Sequence, residues 1–254
     1  MARDKAEPAI VRLDQVDSTQ TVAFALAERG ATDRTVVVAD QQAAGRGRRG
    51  RVWQAPARTS LLASILVRSG LPQALLATLS PTTAVATAEA LRRVAPLEPR
   101  LKWPNDVLVG GRKIAGILLE SRAVASSEPV LVIGVGINLG QREFPPELAG
   151  RATSVALETG HAVDRETMLA ALLEEFDAWR ARLEGEGFGP VRERWKSLSD
   201  TIGRHVTVDG VSGTATDLDG DGALLIDVGD GVRRVIAGEI TTDETTGEAH
   251  AARR

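Results

Sequence analysis

Apolar residues recur at a helical spacing in three segments of the chain. In DSTQTVAFALAERG, Asp17 or Ser18 is suited to cap a helix and Gly30 is suited to end it. The segment PQALLATLSPTTAVATAEALRRV has a helical pattern with a break near Pro81. The segment DRETMLAALLEEFDAWRARLEGEG is amphipathic, and a shorter helix that runs through Trp195 follows it. The spacing predicts these helices, whereas the polar N-terminal decapeptide is expected to be loose.

Runs of aliphatic and β-branched residues predict strands between the helices. TVVVAD and SLLASILVR lie on either side of a loop rich in arginine. Further strands are predicted in RLKWPNDVLV, RKIAGILLESR and PVLVIGVGINLG. The chain before about Gly203 is therefore expected to contain both strands and helices.

From about Gly203 the pattern contains only short strands and turns. D-G pairs at Asp209, Asp221 and Asp230 separate these strands, at a spacing typical of hairpins in a small barrel. Paired Asp and Gly residues also occur in calcium loops, but the EF-hand spacing and its closing Glu are missing. The D-G pairs are therefore interpreted as turns.

Composition limits the class of protein. The chain has 254 residues, of which 43% are hydrophobic, and a formal net charge of −3, which argues against a surface built to bind nucleic acid. The N-terminus has no signal-peptide pattern, and no run of about 18 apolar residues indicates a membrane span. Without cysteine, and with its histidines far apart in sequence, the chain offers no zinc site. We expect a cytoplasmic protein that has no nucleic-acid or membrane partner.

The stretch GRGRRGRVW, Gly45 to Trp53, is called the arginine loop below. No Asp or Glu occurs between Asp40 and Glu89, although several arginines do. One interpretation is a solvated loop whose charge is neutralised by acids elsewhere in the fold. The other is an anion site, because interleaved glycines allow the backbone to approach a ligand closely. The sequence alone leaves both interpretations open.

Known glycine-rich motifs do not account for the arginine loop. The letters fit G-x-G-x-x-G, but RVWQAPARTS shows no helical period after the third glycine, and the acid that binds ribose is absent from the expected position. The chain also lacks the kinase motifs H-R-D and D-F-G, a P-loop and the G-x-S-x-G nucleophile motif. These classes are therefore excluded.

Rare residue types mark further candidate positions. The chain has 31 Lys and Arg residues, only four of them Lys, and two of these are Lys102 in KWPNDV and Lys113 in RKIAGILLE. A compact ammonium in place of a guanidinium suggests that a point charge is needed at these two positions. The alternative is that Lys102 and Lys113 are ordinary surface residues. The chain has only two asparagines, Asn105 and Asn138. For these, a plain turn and a strand end remain the alternatives.

Together, the arginine loop, KWPND, RKIAGILLE and GVGIN supply cations, a carboxylate, two amides and glycine backbone. This set suits a site for a polyanion and a smaller ligand, as in phosphoryl chemistry, where catalysis depends mainly on positioning and charge stabilisation.

At these residues the sequence resembles the biotin protein ligases. The resemblance rests on DSTQ, DQQAAGRGRRGRVW, LKWPNDV, KIAGILLE, GVGIN, RW before IGRHVTV, and a terminal AGEI. It implies an α+β fold, in which a catalytic domain (1–202) has a mixed β-sheet with helices like the class II aminoacyl-tRNA synthetases. A small SH3-like β-barrel (203–243) follows, and residues 244–254 are expected to form a disordered tail.

The resemblance also implies a two-step reaction. Biotin and MgATP would give biotinyl-5′-AMP and pyrophosphate, and a lysine of the biotin carboxyl carrier domain of acetyl-CoA carboxylase, or of another acyl-CoA carboxylase, would then take the biotinyl group. The implied substrates and cofactors are thus biotin, ATP and Mg²⁺, with no metal ligand assigned among the side chains. The protein would be a monomer or a weak homodimer.

Site residues follow from the motif positions. Those implied to bind biotin and its adenylate are Ser18, Thr19, Gln20, Gln42, Gly45, Arg46, Gly47, Arg48, Lys113 and Gly116. Those implied to bind ATP are Arg51, Trp53, Lys102, Asn105 and Asn138. Lys113, Arg48 and Asp106 are implied to be catalytic, and Asp106 would orient or deprotonate the incoming lysine amine.

Two features differ from the family pattern. Gln20 stands where Asn usually follows Ser-Thr, and only 16 residues precede Asp17, where bifunctional members carry a DNA-binding domain. We therefore expect a monofunctional ligase. The alternatives are a ligase or transferase for lipoate or octanoate, and a nucleic-acid-binding module. The latter is disfavoured because the chain has no Tyr and few aromatic residues for stacking.

Overall fold

The computed structural model describes residues 9–122 and 129–241. Its helices are α1 (Thr19–Glu28), α2 (Leu79–Val94), α3 (Val155–Thr159), α4 (Arg165–Glu186) and α5 (Gly189–Ser197). Its strands are β1 (Ile10–Val16), β2 (Val36–Gln42), β3 (Ser60–Val67), β4 (Arg100–Lys102), β5 (Asp106–Val109), β6 (Arg112–Arg122), β7 (Val130–Asn138), β8 (His205–Val208), β9 (Val211–Leu218), β10 (Leu224–Asp227), β11 (Val232–Val235) and β12 (Ile240–Thr241).

The chain divides into two compact units. The first contains Met1–Gly70 and Arg112–Ala170, and the second contains Leu71–Gly111 and Ala171–Arg254. Each unit is built from two separate stretches of sequence. This division differs from the expected domains 1–202 and 203–243, whose boundaries remain predictions, and the expected tail at 244–254 lies outside the described residues.

The first unit is built on a mixed sheet with the strand order β1-β2-β3-β7-β6. Strands β1 and β2 are parallel, and the other neighbours are antiparallel. Every residue of β3 is buried, so this central strand reads as a continuous apolar run. Helix α1 packs on the sheet through Ala23, Phe24 and Ala27, which contact a buried cluster that includes Val37 and Val132.

The second unit contains helices α2 and α5, a short hairpin and an antiparallel sheet. The sheet has the order β11-β10-β9-β8-β12, and a turn with positive φ at Asp209 and Gly210 joins β8 to β9. Glu89 on α2 accepts a hydrogen bond of 2.5 Å from Arg194 on α5. Trp103 donates its indole N–H to the carbonyl of Gly222 over 3.2 Å, which ties the hairpin to the loop before β10.

The expected mixed sheet with helices and the C-terminal antiparallel sheet are confirmed. The break near Pro81 lies between a 3₁₀ segment and α2, where Pro81 falls in the first helical turn and needs no N–H partner. RLKWPNDVLV, predicted as one strand, is instead the hairpin β4–β5, because Pro104 interrupts the ladder. Strand β1 was missed, since its residues are at most half-buried and its apolar pattern is weak.

Over residues 9–122 and 129–241, every helix is too short or too polar to cross a bilayer.

The close packing of β9 against β10 supports a stability prediction. A Cβ on Gly213 would lie 2.1 Å from the backbone oxygen of Asp227, so Gly213→Ala must displace a strand. We expect this change to lower the free energy of unfolding by about 1–3 kcal/mol, measured by urea denaturation. Gly220→Ala is the matched control, because nothing lies within 4 Å of its Cβ position. Equal stabilities of the two variants would contradict the prediction.

Candidate active site

On one face of strands β6 and β7, several positions are occupied by glycines. Gly116 pairs with Gly136 across the strands, and Leu118 pairs with Gly134. These alternate positions are half-buried, whereas intervening residues such as Ile117 are buried on the other face. Gly116, Gly134 and Gly136 are called the glycine floor below. Without their side chains, other groups can approach the backbone of the sheet.

The indole of Trp53 lies on this floor. A Cβ on Gly136 would lie 2.6 Å from Trp53 Cε2, and a Cβ on Gly116 would lie 3.1 Å from Trp53 Cζ3. The Nζ atom of Lys113 is also 3.1 Å from the Gly116 Cβ position and 5.6 Å from the centroid of the indole. Trp53, which is predicted to bind ATP, and Lys113, which is predicted to be catalytic, therefore meet over Gly116. This glycine is predicted to bind the substrate.

The arginine loop folds back on itself as a small hairpin. Arg46 and Val52 form an antiparallel bridge, and the Gly47 N–H donates to the Arg51 carbonyl over 2.7 Å. A single 3₁₀ turn, Arg48–Gly50, forms its tip. The loop therefore presents Arg48 and Arg51 close to its tip and keeps Arg46 and Trp53 at its stems.

Glycine is required at two positions of the arginine loop, for different reasons. At Gly45 a Cβ would lie 2.4 Å from the Trp53 carbonyl oxygen, and the Trp53 N–H donates to the Gly45 carbonyl over 3.0 Å. Gly50 has a φ of 74°, next to Arg49 at 55°, so the chain reverses through the left-handed region. Gly45 thus allows the two stems of the loop to approach each other, and Gly50 allows the reversal at its tip. The predicted close approach of this backbone to a ligand remains a prediction.

Acidic side chains pair with two of the arginines in the segment between Asp40 and Glu89, which itself contains no acid. Arg46 Nη2 lies 3.0 Å from Glu120 Oε2 on β6. Arg58 Nε lies 2.6 Å from Asp40 Oδ2, and Asp40 also accepts from Arg165 at 2.5 Å. The hydrogen bond from Arg165 is the main reason that the pKa of Asp40 lies below its ordinary value. Neutralisation from elsewhere in the fold, one of the two interpretations of the loop, therefore applies to Arg46, and Arg58 beyond the loop is paired in the same way.

A polar cluster lies at the N-terminus of α1. Ser18 occupies the N-cap position, but its side chain makes no capping hydrogen bond. Instead, Gln42 Oε1 accepts from the Thr19 N–H at 2.8 Å and from Thr19 Oγ1 at 3.0 Å. Thr19 Oγ1 also lies 2.8 Å from Ser64 Oγ. The structure thus brings together Ser18, Thr19 and Gln42, which were predicted as a group, and adds Ser64.

Gln20 occupies the part of the glycine floor next to this cluster. Its Nε2 donates to the Leu118 carbonyl at 2.9 Å and lies 3.4 Å from the Val132 carbonyl. A Cβ on Gly134 would lie 3.0 Å from Gln20 Cδ, and Gln20 is 3% exposed. The unusual residue at this position therefore fills space over Gly134 and bonds to the backbone of β6.

Asn138, at the end of β7, is buried and held by the protein itself. Its Nδ2 donates to the Thr153 carbonyl at 2.9 Å, and its Oδ1 lies 3.4 Å from Ser60 Oγ. These bonds account for an amide at this strand end. Its predicted contact with adenine remains a prediction.

Lys102, Asn105 and Asp106 lie in the second unit, on the hairpin β4–β5. Lys102 and Asp106 are directly opposite each other in the register, so their side chains are cross-strand neighbours of opposite charge. The hairpin is fixed by Trp103, whose N–H donates to Thr201 Oγ1 over 3.0 Å. The structure therefore brings these predicted residues together within their own unit.

Metal ligands do not cluster in the described part of the chain. Across residues 9–122 and 129–241, no group of three or more His, Cys, Asp or Glu side chains could hold a metal ion.

Sequence reasoning missed Glu120 and Gly136 as members of the site. A signal for Glu120 was present, because it lies four residues after Gly116 in a strand, and even spacing places both on one face. Gly136 could have been found in the same way, as an alternate glycine of GVGIN.

The chain is similar to known proteins in both sequence and fold. The profile of the Biotin/lipoate A/B protein ligase family matches residues 13–138, and that of the Biotin protein ligase C terminal domain matches residues 201–241. The solved structure of a biotin protein ligase from Aquifex aeolicus in complex with biotin and ATP has a TM-score of 0.80 and 31% identity. It covers 91% of this chain and 97% of its own.

Curated relatives agree with these matches. A biotin--[acetyl-CoA-carboxylase] ligase from Paracoccus denitrificans is 37% identical over 225 residues, which is 84% of this chain and 92% of the relative. The protein of the same name from Mycobacterium tuberculosis is 37% identical over 241 residues, which is 89% of this chain and 86% of the relative. The chain belongs to the biotin protein ligase family.

The contact between Trp53 and Gly136 supports a spectroscopic prediction. Gly136→Ala must displace the indole from the glycine floor, since a Cβ would lie within 3.0 Å of three ring atoms. We expect a red shift in tryptophan emission as Trp53 becomes more exposed to water. The same substitution in a Trp53→Phe background is the control and should leave the emission of the remaining tryptophans unchanged. An equal shift in both backgrounds would mean that another tryptophan responds.

Proposed function

We propose that the protein is an ATP-dependent ligase that activates biotin as biotinyl-5′-AMP and transfers it to a lysine of a biotin carboxyl carrier domain. One observation in the site supports this most directly. Arg46 Nε and Trp53 Nε1 are both buried, and neither has a hydrogen-bond partner among the described residues. Buried donors without acceptors are costly, so a ligand with acceptor atoms is expected to satisfy them.

In the first step, a carboxylate oxygen of biotin attacks the α-phosphorus of ATP. The bond between this phosphorus and the bridging oxygen to the β-phosphate breaks, and pyrophosphate leaves with its magnesium. Two anions approach each other in this step, so positive charge must offset their repulsion. Lys113 fits this role because its ammonium lies over Gly116, which is predicted to bind biotin.

The arginine loop would hold the adenylate after it forms. A mixed anhydride hydrolyses if water reaches it, so the site must exclude water until transfer. Arg48 at the tip and Arg46 at the stem carry charge suited to the phosphate of the adenylate. Trp53 supplies an apolar surface and one unpaired N–H donor at the opposite stem.

In the second step, the acceptor lysine amine attacks the carbonyl carbon of biotinyl-5′-AMP. The bond from this carbon to the phosphate oxygen breaks, AMP leaves, and an amide forms. The amine must lose a proton, since its ordinary pKa near 10.4 keeps it charged at neutral pH. Asp106 is proposed to orient this amine and take up the proton.

Several finer assignments belong to the same proposal. The acceptor is expected to be the carrier domain of acetyl-CoA carboxylase, as the names of the relatives from Paracoccus denitrificans and Mycobacterium tuberculosis suggest. Magnesium enters as part of MgATP. The protein is proposed to act in the cytoplasm as a monomer or weak homodimer, without a nucleic-acid partner. Mass spectrometry of a carrier domain after incubation with biotin and MgATP tests the activity, and an unmodified carrier lysine would contradict it.

Ligation of lipoate or octanoate is the second candidate. It is retained because the profile that matches residues 13–138 covers both biotin and lipoate ligases. ATP–pyrophosphate exchange measured with each acid separates the candidates. Exchange that depends on biotin supports the proposal, whereas exchange that depends only on lipoate or octanoate supports the alternative.

The role of Lys113 gives a prediction for the first step. Lys113→Ala should lower the rate of adenylate formation by about 10²–10³-fold, the usual loss for one charge-stabilising donor. Lys113→Arg should restore little of it, because a planar guanidinium cannot occupy the same space over Gly116. Pyrophosphate exchange measures both variants. Lys196→Ala, which removes a lysine paired with Asp217 and Glu193, is the control and should stay near the wild-type rate. Wild-type exchange in Lys113→Arg would contradict the geometric argument.

The role of Asp106 gives a prediction for the second step. Asp106→Asn should slow transfer to the carrier lysine by about 10²–10⁴-fold, as expected for loss of a general base. Adenylate formation should fall much less, because Asp106 is assigned to the amine. Single-turnover measurements of each step separate the two effects. Equal losses in both steps would move Asp106 to a role with the nucleotide.

A further inference from the structure

Glu120 is the last letter of the KIAGILLE motif, and the proposed reaction assigns it no role. It lies on β6 on the same face as Gly116, four residues along the strand. Its side chain is 30% exposed, but its Oε2 atom is buried beside the buried Nη2 atom of Arg46. A carboxylate placed next to an anion-binding site needs a reason, because it would repel the ligand.

The arginine loop meets strand β6 at its two stems. At one stem, Arg46 contacts Glu120, and at the other, Trp53 lies on Gly116. The hydrogen bond from the Trp53 N–H to the Gly45 carbonyl joins these stems. Between the two contacts lies the 3₁₀ turn at Arg48–Gly50, which has no buried residue. The loop therefore has a base packed on the sheet and an exposed tip.

We propose that Glu120 is a positioning residue that fixes the base of the arginine loop through Arg46, so that only the tip moves when a ligand enters. Arg46 uses one side of its guanidinium for Glu120 and retains Nε, a buried donor with no hydrogen-bond partner in the described residues. A guanidinium can serve two acceptors at once because its donors point in several directions. Glu120 thus orients Arg46 without consuming its capacity to bind an anion.

Such an anchor also affects how long the adenylate stays bound. If both stems are fixed, closure requires the ordering of only a few residues, and less conformational entropy is lost. If the Arg46 stem is released, the whole loop must be ordered, and the closed state becomes less populated. The effect on the bound adenylate rests on the proposed function, whereas the anchoring of the loop by Glu120 does not.

Hydrogen–deuterium exchange of the full chain without ligands tests the anchoring. The amides of Gly47 and Trp53 are both hydrogen-bonded within the loop, and one peptide over residues 43–53 reports on both. Glu120→Gln and Arg46→Gln should each accelerate this exchange about tenfold, the change expected when a partly buried ion pair is broken. The double variant should exchange no faster than either single variant, because both remove the same contact.

Two results of the exchange experiment would overturn the proposal. One is a wild-type exchange rate in Glu120→Gln, and the other is a double variant whose acceleration equals the product of the single effects. The control is Glu166→Gln, which removes the ion pair with Arg12 at 2.6 Å in the same unit and should leave the loop peptide unchanged. Equal acceleration in this control would show that loss of any ion pair loosens the unit, and would also overturn it.

Retention of the adenylate tests the functional consequence. After incubation with biotin and MgATP without acceptor, Glu120→Gln should still form pyrophosphate but release biotinyl-5′-AMP into solution about tenfold faster than wild type, measured by rapid filtration. Glu120→Asp, which keeps the charge on a shorter side chain, should fall between them. Wild-type retention in Glu120→Gln would overturn the role of Glu120 in closure. If wild type itself forms no adenylate, the proposed function fails, while the exchange rates still decide whether Glu120 anchors the loop.

Discussion

The contact between the Trp53 indole and the glycine floor is the constraint on which the rest of the site depends. An aromatic ring can lie against a β-sheet only where side chains are missing, and Gly116 and Gly136 provide such a place directly opposite each other. Once the ring is there, the position of the Trp53 backbone follows, and its N–H fixes Gly45 at the other stem of the arginine loop. The position of the arginine loop on the sheet therefore depends on glycine at positions 116 and 136.

Electrostatics in the first unit are organised around the same loop. Arginines in a segment without acids would repel one another, but Glu120 pairs with Arg46 at one stem of the loop, and Asp40 pairs with Arg58 beyond the loop. In the proposed reaction, Arg48 at the tip of the loop also interacts with the phosphate of the adenylate. The proposed reaction thus uses a tip arginine together with Arg46, which contacts Glu120 through Nη2 and keeps its buried Nε for a ligand acceptor.

Local patterns in the sequence were sufficient for most helices and strands and for the family. The bounds of β6 agree with the prediction to the residue, because charged residues at both ends of RKIAGILLESR bound a continuous apolar run. Strand β1 was not predicted, since an edge strand whose residues are only half-buried or exposed carries little hydrophobic signal. The partners Arg46–Glu120 and Arg58–Asp40 were also not predicted, because ion pairs across a sheet or between loops depend on register that sequence spacing does not reveal. For the same reason, Gln20 was recognised as unusual but its bond to the Leu118 carbonyl was not.

The hydrogen bonds around Gln42 determine the direction of an amide. The Thr19 N–H can only donate, so the atom of Gln42 that faces it must be the oxygen. Thr19 Oγ1 donates its hydrogen to the same oxygen, and its remaining lone pairs can then only accept from Ser64. The hydroxyl groups are thus aligned in one direction, from Ser64 through Thr19 to Gln42, by a single main-chain N–H. The nitrogen of Gln42 is left as a donor, so a group that bonds to it must be a hydrogen-bond acceptor, such as a carbonyl oxygen.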